Sequence, residues 1–430
     1  MLDIKFIRQH PEKVKQSLAH RNAQFDVDYL LSVDEKRRAK LQEVETMRHE
    51  HKEASGQVIA TTGAKRDALI QKVRGEKQKI DAAESDLKAL EEEFEALMYK
   101  LPNLPFDEVP VGKNENDNVV LREVGTKPQF SFHPCDYMEI AEKLDLIDTE
   151  RAAKVSGSRF GYVRRELALL EFALVQFAIE KLVKNGFVPV VPPVMIREEM
   201  MHGMGYIDSE KDREERYFLE KDGLYLIGTA EQSLVPMHAD EIISEKHLPL
   251  RYAGFSTCFR REAGSYGKDT QGILRVHQFD KVEMVIFSKP EDSCAEHELM
   301  IRLEEELMQE LQIPYRIVAL CTGDISQPSA RTIDIESWFP GQNEGRGQYR
   351  ETHSSSHTTD FQARRLKIRI RKTDDTIEFV HILNGTACAI GRTLIAILEN
   401  YQQEDGAVKI PRVLQKYMGE REVITEARTS

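Results

Sequence analysis

Between Leu69 and Leu101 apolar side chains recur in alternating steps of four and three without a slip. The positions are Leu69, Val73, Glu76, Ile80, Ala83, Leu87, Leu90, Phe94, Leu97 and Leu101, and only Glu76 is polar. A 3.5-residue period sustained this long fits a helix-on-helix seam and no strand. Residues 26–100 contain no proline to break the hydrogen-bond ladder. A weaker form of the same spacing runs through Val33, Arg37, Lys40, Val44, Met47, His51, Ala54 and Val58. Between the two runs, Thr61-Thr62-Gly63-Ala64 supplies a turn in which Gly63 is free to take positive φ. The spacing therefore predicts a long antiparallel coiled-coil hairpin over about 26–101. Each arm of about 35 residues would be roughly 50 Å long.

Charge is divided along this hairpin. The stretch from Lys36 to Lys79 carries a net +6, the stretch from Ile80 to Lys100 a net −5, and the whole 430-residue chain −13. An acidic surface repels nucleic acid over most of its extent, so any such contact needs a locally basic element. Two readings of the hairpin stay open on charge alone: a solvated coiled-coil face, or a rod carrying a basic patch to a polyanion.

The rest of the composition removes several classes. Apolar residues make up 40% and charged residues 31% of the chain, which excludes a collagen-like or generally disordered chain. The most apolar stretch, Leu167 to Val183, is interrupted by Glu171, Gln176 and Glu180 and does not read as a membrane span. The charged first fifteen residues do not read as a signal peptide. Cys135, Cys258, Cys294, Cys321 and Cys388 are odd in number, scattered and without a CxxC, which suits a reducing cytosol.

Leu101-Pro102-Asn103-Leu104-Pro105 stops the second helix, and a polar linker follows near Asn114–Asn118. Beyond it, apolar alternation predicts strands near Leu224–Ile227, Arg251–Phe259, Leu274–Phe287, Tyr315–Ala319, Lys367–Arg371 and Glu378–Leu383. Helices are expected over Arg165–Lys184, Pro290–Leu311 and Gly391–Gln402. Consecutive strands joined by short turns favour an α+β body, an antiparallel sheet flanked by helices, over a doubly wound one. The expected domains are an N-terminal one over 1–110, a body over 111–419 and a polar tail over 420–430.

Chemistry concentrates between Phe255 and Phe287, read as strand, Gly/Asp-rich loop (263–269), strand. On the second strand, odd positions carry Arg275, His277, Phe279, Lys281 and Glu283. Even positions carry Val276, Val282, Met284 and Ile286, with Gln278 and Asp280 as exceptions. One face is core; the other holds cations, an aromatic ring and a carboxylate. If that face lines a pocket, Arg260 and Arg275 suit phosphate or carboxylate oxygens by planar pairing. Phe279 suits a base, and Glu283 an ammonium or hydroxyl. A nucleoside triphosphate beside an amino acid fits this set. Thr229-Ala230-Glu231-Gln232 reads first as a capping box with Thr229 as N-cap, which leaves Glu231 unexplained. Arg392, opening an apolar helix, needs an anion, either an internal carboxylate or a phosphate. No GxxxxGK[ST], GxGxxG or HExxH occurs, so a triphosphate would be held by arginines and metal in place of a glycine-rich loop.

With these residues in view, the chain resembles the bacterial-type seryl-tRNA synthetases, which are class II aminoacyl-tRNA synthetases. The similar stretches are TAE at 229–231, CFRREAGSYGKDTQGILRVHQFDKVEM at 258–284, CTGD at 321–324, TDFQARR at 359–365 and LNGTACAIGRTLIAILENYQ at 383–402. The 258–284 run looks like class II motif 2. Gly391-Arg392 stands where motif 3 has its arginine. The stretch from Asn185 to Pro193 looks like motif 1, which lies at the dimer interface in this class. The hairpin is similar to the family's tRNA-binding arm.

The resemblance implies a class II catalytic fold, ATP as substrate, Mg²⁺, a cytoplasmic homodimer and tRNA(Ser) as partner, with tRNA(Sec) left open. It implies a serine site at Thr229, Ala230, Glu231, Arg260, Glu283 and Thr386. It implies an ATP site at Arg260, Arg261, Glu262, Arg275, Phe279, Glu351, Thr352, His353, Ser354 and Arg392. Arg260 and Arg392 would be the catalytic arginines: Arg260 would bridge the α-phosphate and the serine carboxylate, while Arg275 and Arg392 would take the outer phosphates. Glu351 and Ser354 would meet Mg²⁺. One segment departs from the family pattern: Glu-x-Ser-Ser-Cys-Ser-Asn is replaced by Glu351-Thr352-His353-Ser354-Ser355-Ser356-His357. The stretch from Ile325 to Arg350 is also unusual, with an added glycine-rich piece at 344–347. These changes bear on the metal and serine sites rather than on the reaction class. Two alternatives stand on the residues: a paralogue passing an amino acid to a carrier protein, which has no need of a basic rod, and a non-catalytic coiled-coil scaffold with a nucleotide-binding body.

Overall fold

A computed structural model describes residues 1–263 and 272–426. The expected loop over 263–269 falls almost wholly outside the described residues, as does the end of the tail. The chain divides into two compact units, Met1–Pro102 and Asn103–Ser430.

The first unit holds the expected hairpin: α1 spans Val27–Ala60 and α2 spans Ala64–Lys100. Asp26 caps α1 by accepting from the Tyr29 amide, and Gly63 turns the chain at φ +68°. Val33, Val44, Ala54, Ile80, Ala83, Leu87 and Leu101 of the two spaced sets are buried, as seam positions should be. The polar seam members meet neighbours of opposite charge or an aromatic ring, although Arg37 Nε, His51 Nδ1 and Glu76 Oε2 make no hydrogen bond among the described residues. Arg37 lies over the Phe94 ring at 4.5 Å, and His51 stands 3.9 Å from Glu76. Two short helices not anticipated from the sequence, Ile4–Gln9 and Pro11–His20, precede the hairpin. Buried Asp34 gathers Arg8, Arg37 and Arg38 within the same unit.

Among the described residues, the second unit is built on an eight-stranded sheet. Its strands are β1 (Val119–Val124), β2 (Val188–Val190), β3 (Leu250–Phe259), β4 (Gln278–Ser288), β5 (Tyr315–Ala319), β6 (Arg331–Phe339), β7 (Gln348–His357) and β8 (His381–Ala389). The spatial order is β1-β5-β6-β7-β8-β4-β3-β2, antiparallel except for the β2–β3 pair at one edge. Three helices cover one face: α3 (Arg165–Lys184), α4 (Ser293–Glu310) and α5 (Ile390–Asn400). Val282, Met284 and Ile286 of β4 pack into this core with Leu167, Leu170 and Leu174 of α3 and Leu394 and Ile395 of α5. The alternation read from β4 therefore sets which face is dry and which is open.

Two strand expectations change. Arg275 and His277 precede β4 because loop partners take their backbone groups: the Arg260 amide donates to the His277 carbonyl, and the His277 amide to that of Arg159. The run Glu378–Leu383 is split at Val380. Ile377–Phe379 pairs with Arg369–Arg371 in a small separate sheet, while β8 joins the large one. No helix among the described residues is long and apolar enough to cross a membrane.

Candidate active site

The open face of β4, β8 and β7 forms the floor of two adjoining cavities of about 580 and 250 Å³. On β4, Phe279, Lys281 and Glu283 alternate toward this face, with Glu283 opposite Gly254 on β3. Gly254 gives close approach there: a Cβ would sit 2.6 Å from Leu234 Cδ1 and 3.1 Å from Ala230 Cβ. Its absence lets the short helix Glu231–Leu234 lie against the sheet and present Glu231.

The smaller cavity is the more acidic. Glu231 is buried, and both its oxygens are held, by the Tyr206 hydroxyl at 2.8 Å and Gln362 Nε2 at 2.9 Å. Burial, and then the charge of Glu283, raise its pKa. Glu283 forms an ion pair with Lys281 and accepts from the Thr386 hydroxyl at 3.3 Å. A group bearing an ammonium and a hydroxyl would find several fixed acceptors here.

The larger cavity is the more cationic. Arg260 stacks its guanidinium 5.2 Å from the Phe279 ring centroid, and its Nε donates to the Gly228 carbonyl at 3.2 Å. Arg275 pairs with Glu262 at 2.8 Å. Arg392 donates to the Glu351 carbonyl at 2.7 Å and stands 3.4 Å from its carboxylate. Of the two anions considered for Arg392, the structure supplies the internal carboxylate. Enclosure favours the neutral form of Glu351, but Arg392 and Arg260 more than offset this, so the carboxyl ionises below its ordinary range.

A β-bulge decides which part of the 351–357 segment reaches the site. The β6–β7 register shifts between Ile335 and Glu336, leaving Thr352 as the extra residue. In a regular strand, residues three apart face opposite ways. The bulge changes the parity, so Glu351 lines both cavities and Ser354 the smaller one. The same change sends His353, Ser355 and His357 to the core, with 1%, 0% and 0% exposure.

Most of the expected residues are thus brought together, with three exceptions. Ala230 is fully buried in an apolar cluster beside Leu234, because its methyl group faces the sheet. Arg261 turns its guanidinium onto the Tyr217 ring at 5.5 Å, since Arg260 and Arg261 point to opposite sides of an extended chain. His353 lies behind the strand, its Nδ1 2.9 Å from the Thr352 hydroxyl, and burial pushes its pKa down to about 4. None of the three lines either cavity. The capping box is also displaced: Ala230 is the N-cap, and Gln232 Oε1 accepts from Gly228 rather than from Thr229.

Lys281, Tyr206 and Arg216 line both cavities, Gln362 holds Glu231, and Asp334 on β6 stands opposite Ser354, yet the sequence assigned none of the five a role. Lys281 shares the odd-position face of β4, and Gln362 lies inside the TDFQARR stretch, so both carried a signal. Tyr206, Arg216 and Asp334 carried none.

An antiparallel sheet that holds a nucleotide-sized cavity between arginines defines the catalytic core of a class II aminoacyl-tRNA synthetase. Residues 217–401 match the family described as tRNA synthetase class II core domain (G, H, P, S and T). A prolyl-tRNA synthetase structure from Giardia lamblia shares this fold at 16% identity and a TM-score of 0.56, covering 65% of this chain and 54% of that one. Residues 1–105 match the family described as Seryl-tRNA synthetase N-terminal domain. The chain belongs to the seryl-tRNA synthetase family, and its activity is that of a serine–tRNA ligase. A serine–tRNA ligase of Dictyoglomus thermophilum is 44% identical over 98% of this chain and 99% of its own length. The crystal structure of seryl-tRNA synthetase from Pyrococcus horikoshii complexed with ATP is 42% identical, covers 100% of both chains and has a TM-score of 0.91. The Naegleria fowleri cytoplasmic enzyme, in complex with AMP, is 33% identical with a TM-score of 0.87, covering 100% of this chain and 99% of that one.

Proposed function

We propose that the larger cavity takes ATP and the smaller one L-serine, with Arg260 at their junction. The observation that carries this reading is that Arg260 lines both cavities while resting on Phe279. The Pyrococcus horikoshii relative, solved with ATP, supports ATP as the nucleotide. Adenine stacks on Phe279, Arg275 and Arg392 take the outer phosphates, and Glu262 contacts the nucleotide. Serine's ammonium and hydroxyl meet Glu231, Glu283, Thr229 and Thr386.

A serine carboxylate oxygen attacks the α-phosphorus in line. A new O–P bond forms, the α–β anhydride bond breaks, and pyrophosphate leaves. The ribose hydroxyl at the 3′ end of tRNA then attacks the acyl carbon and displaces AMP. No side chain becomes covalently bound. The protein aligns the reactants and places positive charge where negative charge develops.

A hard divalent cation fits the donors at one wall. Glu351 and Ser354 offer oxygen ligands, and the buried Asp334 Oδ1 has no partner among the described residues. One or two carboxylates plus substrate phosphates is the set Mg²⁺ favours. When bound, Mg²⁺ would neutralise phosphate charge and favour departure of pyrophosphate.

The hairpin is the tRNA-binding arm, its distal +6 charge set against an acidic chain. The working form is a homodimer built on α3 and β2. Phe172, Val188 and Val191 are 69%, 54% and 81% exposed, an apolar surface that a partner copy would cover. The five cysteines are unpaired and suit a reducing cytosol. Amino-acid-dependent ATP–pyrophosphate exchange tests the reading. Exchange is expected with serine, at a level far above that with alanine or threonine. Exchange driven best by another amino acid would overturn the serine assignment.

A further inference from the structure

Arg216 has no role in the scheme above. Its local sequence hides it, because Glu210 to Arg216 is charged at every position and reads as a solvated turn. Its side chain nevertheless lines both cavities. A Cβ built on Gly228 would lie 3.4 Å from Arg216 Nη1 and 3.5 Å from Arg260 Cγ, so the two arginines flank the same backbone segment. The Arg216 guanidinium lies 5.2 Å from the ring centroid of Tyr206, the residue that donates to Glu231. Its Nε is buried without a hydrogen-bond partner among the described residues.

The neighbouring arginines are all provided for: Arg275 by Glu262, Arg392 by Glu351 and Arg260 by the Gly228 carbonyl. No carboxylate pairs with Arg216 among the described residues. Burial, and then the like charge of Arg260, lower its pKa. Stacking on an aromatic ring offsets only part of the cost of withdrawing an unpaired charge from water. The site thus holds two neighbouring arginines, one of them without a carboxylate partner among the described residues, and an anion at the junction of the cavities would relieve that cost.

We infer that Arg216 is a second anion-holding guanidinium of the adenylation site, facing Arg260 across the reacting centre. The anionic oxygen it takes belongs to the amino-acid carboxylate or to the α-phosphoryl group, the two groups that become one anhydride. This inference rests on the ATP and serine reading of the cavities. It adds a residue to the charge neutralisation assigned to Arg260 and gives the run 210–216 a reason to fold inward.

The test uses the full chain and two variants, Arg216→Leu and Arg216→Gln, with calorimetric binding of serine alone and of ATP alone beside serine-dependent pyrophosphate exchange. Loss of a charge-assisted hydrogen bond weakens binding by at least about tenfold. That loss is expected in the serine arm if Arg216 holds the carboxylate, and in the ATP arm if it holds the phosphate. A drop confined to the maximal exchange rate, with both affinities kept, also supports the inference, since it places the contact in the transition state. Where Arg216→Leu does not fold, Arg216→Gln, which keeps stem and polarity, is the variant read. Variants that bind both ligands and exchange as the parent protein does, whatever their melting temperature, would overturn the inference. A parent protein without serine-dependent exchange would instead sink the adenylation reading itself.

Discussion

Glu304 on α4 is fully buried on the helix-covered side of the sheet, and neither of its oxygens has a partner among the described residues. A Cβ on Gly385 would come within 2.8 Å of its Oε1, so glycine on β8 leaves the carboxyl its room. Burial, reinforced by the charges of Glu283 and Asp334, raises its pKa well above the ordinary carboxylate range. The folded protein keeps this proton while the unfolded chain releases it above about pH 4.5. The stabilising contribution is complete below that pH and is lost as pH rises toward the folded-state value. Glu304→Gln mimics the neutral acid and does not titrate. Its stability relative to the parent is expected to increase between pH 5 and pH 8, read as the difference in urea midpoints. A difference constant with pH would show that Glu304 is ionised in the fold. At the same scale, Arg260→Ala removes charge from the reacting centre and should lower the adenylation rate by about 10²–10³. Unchanged pyrophosphate exchange would remove Arg260 from the mechanism.

At the scale of elements, the hairpin and the sheet belong to separate compact units. Deleting residues 36–79 and joining the ends with a short turn is expected to leave serine-dependent pyrophosphate exchange largely intact and to abolish charging of tRNA. Normal charging by the truncated protein would give the rod another task. On α3, Phe172→Glu places a charge in the surface assigned to the partner copy, so sedimentation should show a shift from dimer to monomer. A dimer of undiminished stability would move the interface elsewhere. The two elements also differed in how openly the sequence displayed them. The hairpin was legible because a 3.5-residue period over ten positions has no competing interpretation, and α3 because its apolar run has the length of a helix. The open face of β4 was legible from its alternation alone. The destination of His353 was not, because one extra residue at Thr352 reverses every later side chain of β7 and no local signal marks a bulge. Arg216 was hidden for a different reason: its inward turn depends on long-range packing against Gly228 and Tyr206.

At the scale of the whole molecule, His353, Ser355 and His357 form one feature behind the sheet. His357 stacks edge-on between His297 and His381, with ring centroids 5.8 and 5.5 Å away, and Ser355 neighbours Glu304 across Gly385. These side chains fill the core beneath the proposed serine site, while Glu351 and Ser354 stay on the open side. In the proposed reaction guanidinium groups, above all Arg260, hold the reactants on an antiparallel floor. The most direct measurement is a crystal structure of the full chain with a nonhydrolysable seryl-sulfamoyl adenosine. Adenine is expected on Phe279, the acyl linkage within hydrogen-bonding distance of Arg260, and the seryl ammonium and hydroxyl between Glu231 and Glu283. A ligand bound away from that face, or seated there with Arg260 turned aside, would contradict the proposed reaction.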